Sequence, residues 1–337
     1  MKTKIFLFFV IISVLIIVIT RENGNVQSNE DSKTTIVPIV QSNDWQKLSR
    51  VVGSVAIIVP TPSKENAIQL SPPPPPIDPD FLALRENLQR EIDNSCCDVT
   101  VSVTDLQTGK TIDVKGDQPR LPGCTMNFFV LLSVVMDLQS ELYPESEVGN
   151  IISKTIWSSN AVTARDLLIE TGGGDVYEGL RKVNNLLAFL GLKTGPSPVI
   201  MDHPPAYPHE SLSGEQVDNS ITANQVNYTL AQLWGNLLSS QWRDYFLGKL
   251  TGVKPGLNYL IPAGVGEARV SHKNGFFWDI TGWVDNDIGI VSFEKNGKQY
   301  AYVLSLYMEK IPYKYADIPI GQIISRLVWE YFSTKYQ

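Results

Sequence analysis

Charge is scarce in this chain. Charged residues make up 19% of its 337 positions, and the formal net charge is −7. No stripe or cluster of lysines and arginines is visible, which speaks against a nucleic acid as partner. An acidic balance of this size serves solubility. Cysteine and histidine occur only three times each, and no CxxC is present. A metal cluster built on these ligands therefore has no sequence support. No pattern calls for a cofactor.

Hydrophobic residues are plentiful at 43%, enough for one large domain or two small ones. The longest apolar run stands at the start, from Ile5 to Ile19, behind Lys2 and Lys4. It reads as a secretory h-region or a short membrane anchor, just under the ~17–25 residues of a spanning helix. Thr20-Arg21-Glu22-Asn23 follows in place of a small-x-small cleavage site. Either reading makes the rest extracytoplasmic, secreted or held at the membrane by residues 1–22. Residues 23–79 are polar and proline-rich, and Pro72 to Pro76 are expected to form an extended polyproline spacer. The folded domain is expected over 80–337.

The cysteines are Cys96, Cys97 and Cys124. An odd count in an exported chain leaves at least one thiol unpaired within the monomer. Neighbouring cysteines rarely bridge each other, because a disulfide wants their Cα atoms further apart. A bond from Cys96 or Cys97 to Cys124 would disable Cys124 as a nucleophile.

Phe81, Leu84, Leu88 and Ile92 form a helical stripe. "VTVSVTDL" (Val99 to Leu106) alternates like a half-buried strand, and "KTIDVKG" returns after a turn to close a hairpin. "LPGCTMNFFVLLSVV" (Leu121 to Val135) then predicts a helix with no polar face, buried inside the domain. Helical segments continue to about Gly191, followed by a proline-rich loop from Thr194 to Pro208 and a helix over Ala223 to Leu238. "FFWDITGWV", "DIGIVSFE" and "QYAYVLSLYME" read as three strands, and a last apolar helical face runs from Ile320 to Phe332. Strands at both ends with helices between predict an α/β (α+β) three-layer sandwich. One antiparallel sheet forms from the N- and C-terminal strands, with helices on both faces.

The order of elements carries motifs. "WSSNAVTARDLL" holds Ser158, Ser159 and Asn160; "VSHKNGFFWDITGWVDNDIGIV" holds Lys273, Asn274 and Gly275; Cys124-Thr125-Met126-Asn127 opens the buried helix. Over roughly residues 85 to 330 the chain resembles the penicillin-recognising serine hydrolases, in particular the class A beta-lactamase-like group. In that family a hairpin leads into a buried helix whose first turn carries Ser-x-x-Lys; Ser-Asp-Asn follows from the helical block, and Lys-Thr-Gly lies on a later strand. "TGGGDVYEGLRKVNNLLAFLGL" and "DNSITANQVNYTLAQLW" resemble further family segments.

The departure lies in the first motif, where Cys124 and Asn127 replace its serine and lysine. Residues i and i+3 share a helix face, so the family's lysine can take the serine's proton. An amide cannot do so near neutral pH. A thiol in general needs less help: its reference pKa is about 8.5, and helix N-termini and cations lower it. Against this, a cysteine is also one of the most frequently buried residues and often only packs.

The resemblance assigns roles to the other positions, each with a plainer alternative. Ser158 would relay a proton, or merely cap a helix. Asn160 would hold a substrate amide, or knit two loops together. Lys273 would bind a substrate carboxylate, or stand solvated on its strand. Asn274 replaces the family's threonine hydroxyl. Glu210, in "YPHESLSG", falls near the family's water-activating glutamate, or is an exposed loop carboxylate. His272 is expected to point to the other side of its strand. A second Ser-x-x-Lys, Ser292 to Lys295, lies at a strand end, where the two side chains cannot share a helix face.

Three functional expectations follow. The first is a catalytically impaired family member that binds a peptidoglycan peptide or a beta-lactam, with Asn127, Asn160, Lys273, Asn274 and Gly275 as ligand-binding residues. The second is a thiol-dependent acyl-transferase or amide hydrolase using Cys124. The third is a structural envelope module without ligand. A missing catalytic group costs about 10²–10⁴-fold, so lactam turnover is expected to be very slow.

Overall fold

The computed structural model of the protein describes residues 78–194 and 198–336. The expected anchor (1–22) and nearly all of the expected linker (23–79) lie outside the described residues. Among the described residues no helix is long and apolar enough to cross a membrane.

Helix α1 (Pro79–Asp93) starts where its sequence dictates. Pro79 occupies the first position, and the Asp78 carboxylate accepts from the Asp80 amide at 2.9 Å. Its stripe of Phe81, Leu84, Leu88 and Ile92 is buried. The hairpin β1 (Asp98–Asp105) and β2 (Thr111–Val114) follows. A 3₁₀ turn (Gly123–Met126) runs directly into α2 (Asn127–Gln139). The helical block comprises α3 (Glu145–Ser158), α4 (Ala161–Thr171), α5 (Val176–Phe189), α6 (Ala223–Gly235) and α7 (Ser240–Leu250). A single turn, α8 (Ile261–Gly264), precedes β3 (Arg269–Asp279), β4 (Gly282–Lys295) and β5 (Lys298–Ile311), and α9 (Ile318–Lys335) ends the fold.

The five strands form one antiparallel sheet in the order β2-β1-β5-β4-β3. The N-terminal hairpin therefore joins the C-terminal strands through β1 and β5, with Ser102 opposite Ser305. Val99, Val101 and Val103 of β1 pack with the stripes of α1 and α9 into one core. The other face carries a second core around α2 and the helical block. The three layers and the shared sheet are those expected from the sequence.

Helix α2 is buried from Asn127 to Leu138. Each buried Leu or Phe side chain contributes about 1.5–3 kcal/mol. Phe128, Phe129, Leu131 and Leu132 are at most 1% exposed. Together they outweigh the roughly 1–3 kcal/mol cost of one unpaired buried amide, so the helix can carry Asn127 inside.

Three details differ from the sequence reading. "FFWDITGWV" is not one strand: Ile280 and Thr281 form the turn between β3 and β4. The Asp279 carboxylate accepts from the Thr281 amide and hydroxyl at 3.0 and 2.7 Å, and Gly282 takes φ +137°. The strand thus begins earlier, at Arg269, which puts Lys273 well inside it. Helix α7 was not anticipated, although Trp242, Tyr245, Phe246 and Leu250 recur at helical spacing. Finally, Cys96 is bonded to Cys97, in the bend between α1 and β1, and Cys124 is a free thiol.

Candidate active site

The turn that presents Cys124 is held from the sheet. Arg120 is buried and pairs with Asp98 of β1 at 2.8 Å and Glu309 of β5 at 3.0 Å. Glu309 also accepts from the Leu121 amide at 2.7 Å. Asn286 of β4 donates to the Leu121 and Pro122 carbonyls at 2.8 and 3.2 Å. Thr125 closes the turn by donating its hydroxyl to the Pro122 carbonyl at 2.7 Å. Phe277 of β3 lies against Gly123, whose φ is +49° and where a methyl group would stand 2.7 Å from the ring. Cys124 emerges half-buried at the start of the 3₁₀ turn.

Strand β3 passes close beside it. Gly275 abuts the turn itself: a Cβ there would stand 2.9 Å from the amide nitrogens of both Cys124 and Thr125, and 3.0 Å from the Pro122 carbonyl. Two residues earlier, Lys273 is fully buried. Its ammonium donates to the Asn274 carbonyl at 2.5 Å and to the Ser159 hydroxyl. Ser159 in turn lies 3.0 Å from both the carbonyl and the side-chain oxygen of Asn274. Ser159 links α3 to α4 in the left-handed region, φ +52°, a conformation that costs energy for a residue with a side chain.

Burial lowers the Lys273 amine from 10.5 to about 8; the neighbouring Cys124 sulfur and the Asp287 carboxylate pull the other way. At pH 7 about a tenth of such amines are neutral, so this group both supplies a cation and can accept a proton. It does so from β3 and not from the helix that carries Cys124.

The structure thus brings Cys124, Lys273, Asn274 and Gly275 together with Ser159. It places the other candidates differently. Ser158 is the last residue of α3, and its hydroxyl faces the Lys154 carbonyl at 3.4 Å, along its own helix. The exposed Asn160 caps α4, accepting from the Val162 and Thr163 amides at 2.9 and 3.3 Å. Glu210 is engaged by Arg165 of α4 at 2.5–2.8 Å, which ties the loop to the helical block. Asn127 is fully buried, and neither atom of its amide has a hydrogen-bond partner among the described residues. His272 points away from Lys273: its ring nitrogens meet Asp287 at 2.8 Å and Asn258 at 3.0 Å. Ser292 and Lys295 lie on β4 and share no helix.

Two contributors escaped the sequence reading. Ser159 stood in the quoted motif but at the position of the family's aspartate. Phe277 was read only as a strand residue; its signal was the alternation Lys273, Gly275, Phe277, which sends all three to one face.

The chain matches no curated protein at a significant level. Solved structures share its fold. PBP-A is 20% identical, with 75% of this chain and 96% of that chain covered and a TM-score of 0.58. A PBP-A variant in acyl-enzyme complex with penicillin G is 19% identical, with coverages of 78% and 100% and a TM-score of 0.60. An ancestral class A beta-lactamase of Gram-negative bacteria is 21% identical, with coverages of 74% and 100% and a TM-score of 0.60. The family model described as the beta-lactamase enzyme family matches residues 144–332, more than half of the sequence. With the buried helix, the hairpin-closed sheet and the lysine strand all in place, this chain belongs to the beta-lactamase enzyme family.

Proposed function

We propose that the protein is an exported family member that binds a peptidoglycan peptide or a beta-lactam in the cleft beside Cys124, without the serine-type turnover of its relatives. The observation that carries this reading is Asn127. It stands one helical turn past Cys124, buried and without a hydrogen-bond partner among the described residues, where the serine reaction needs a proton acceptor. Glu210, held by Arg165, is not free to activate water. The apolar run behind Lys2 and Lys4 supports export, with residues 23–79 as a tether. The acyl-enzyme complex of PBP-A with penicillin G supports a lactam-type ligand for this fold.

The Lys273 amine, lowered to about 8 and interacting with the Cys124 sulfur, favours a second reading in which the thiol is acylated. Neutral Lys273 takes the thiol proton, sulfur bonds to the ligand's carbonyl carbon, the C–N bond breaks, and Lys273 returns the proton to the departing nitrogen. A thioester remains on Cys124.

Nitrocefin hydrolysis and intact-mass spectra after penicillin G treatment test both. Binding without turnover predicts thermal stabilisation by penicillin G with no hydrolysis above background and no adduct. A covalent adduct that disappears in Cys124→Ala moves the assignment to the thiol reading. Hydrolysis at the rate of an active class A enzyme, lost in Cys124→Ala, overturns the impairment.

A further inference from the structure

Away from Cys124, a cavity of about 340 Å³ opens between α7 and the sheet, at the end of β3 that precedes Lys273. Arg269 and Ser271 line it from β3, Arg243 and the carboxylate of Asp244 from α7, Trp234 from the end of α6, and Ser292 and Gln299 from β4 and β5, so the two guanidiniums outnumber the one carboxylate. Its size falls within the roughly 300–1,000 Å³ of small-molecule sites. Two guanidiniums in one small cavity need explaining in a chain this poor in charge. Arg243 donates to its exposed neighbour Asp244 at 3.0 Å and lies 3.5 Å from the Trp234 carbonyl. Arg269 has no ion-pair partner among the described residues. A shallower groove on its other side carries Glu267 and Glu294. The exposed Arg269 borders both hollows, and one of its guanidinium nitrogens lies over α7, 3.5 Å from where a Cβ of Gly248 would stand.

We infer that this cavity is a second binding site, for a small anion bearing a carboxylate or phosphate group. Guanidiniums grip such groups through paired, charge-assisted hydrogen bonds. Trp234 supplies an apolar wall, and the Ser292 hydroxyl and Gln299 amide supply further donors. The Ser271 hydroxyl is spent on the Leu247 carbonyl at 2.8 Å and does not donate to the anion.

The test is a titration of the full chain with inorganic phosphate and, separately, with isophthalate, at ionic strength matched with KCl. Tryptophan fluorescence and thermal unfolding are the readouts. Saturable binding of at least one probe is expected, with the fluorescence change lost in Trp234→Phe. Arg243→Gln and Arg269→Gln should each weaken it roughly tenfold or more, the loss of one charged hydrogen bond, while unfolding near the parent temperature. Cys124→Ala should leave it unchanged, which separates this site from the cleft. A response to isophthalate alone assigns a carboxylate ligand, and to phosphate alone a phosphorylated one. No saturable response to either probe, or binding as tight as the parent's in both arginine variants, overturns the proposal.

Discussion

Ser159 reaches Lys273 across 114 positions of sequence, its hydroxyl accepting a hydrogen bond from the buried ammonium. This contact ties the α3–α4 link to strand β3 and sets where the amine that interacts with Cys124 can lie.

Ser159→Ala removes an acceptor from that ammonium and should cost about 1–3 kcal/mol. Ser158→Ala, whose hydroxyl faces only its own helix, should stay within about 0.5 kcal/mol. Urea unfolding of the two variants checks this, and equal effects would refute the assignment of Ser159 as the partner.

Gly275→Ala forces a methyl group against backbone atoms of the Cys124 turn at 2.9–3.0 Å. Overpacking of this kind costs about 1–3 kcal/mol. Gly235→Ala is the control, since nothing lies within 4 Å of its Cβ position; it should be neutral or slightly stabilising. Thermal unfolding separates the pair.

Asn127→Leu replaces a buried, unpartnered amide with an apolar group of similar size. The expected result is a gain of about 1–2 kcal/mol, read from denaturant midpoints. A loss of stability would mean that the amide makes a contact worth keeping.

Stability should climb with pH between about 8 and 9.5. The folded chain releases the Lys273 proton near 8, while the unfolded chain holds it to 10.5. In that window the unfolded state binds more protons, so raising the pH favours folding. Above about 10 the buried tyrosines Tyr302 and Tyr307, whose hydroxyls burial pushes up, act the other way. Lys273→Met should lack the rise, and denaturation at half-unit pH steps measures the difference.

Much of the architecture was legible from periodicity. An apolar stretch such as Phe128 to Val135, interrupted by Ser133 alone, suits a central helix, and the alternation of Val99, Val101 and Val103 suits a strand with one face in a core. Helix α7 was missed although its stripe of Trp242, Tyr245, Phe246 and Leu250 was there to read; it is short, and charged residues Arg243, Asp244 and Lys249 interleave the stripe. At the site, Cys124, Lys273 and Gly275 were found through the resemblance to the family's motifs, but not the choice between Ser158 and Ser159. Adjacent identical residues differ here only in backbone. Ser158 ends a helix, Asn160 caps the next one, and Ser159 between them adopts a positive φ that turns its side chain toward β3. The burial of Lys273 was hidden for a similar reason, since it depends on what three separated segments do around it.

The bond between Cys96 and Cys97 leaves Cys124 as the sole free sulfhydryl among the chain's three cysteines. A maleimide dye or a mercury atom would therefore attach once per molecule, on the turn beside Gly275, with no cysteine engineering. The native chain is its own single-site reporter: fluorescence from that position would register ligand entry, and a heavy atom there would serve crystallographic phasing.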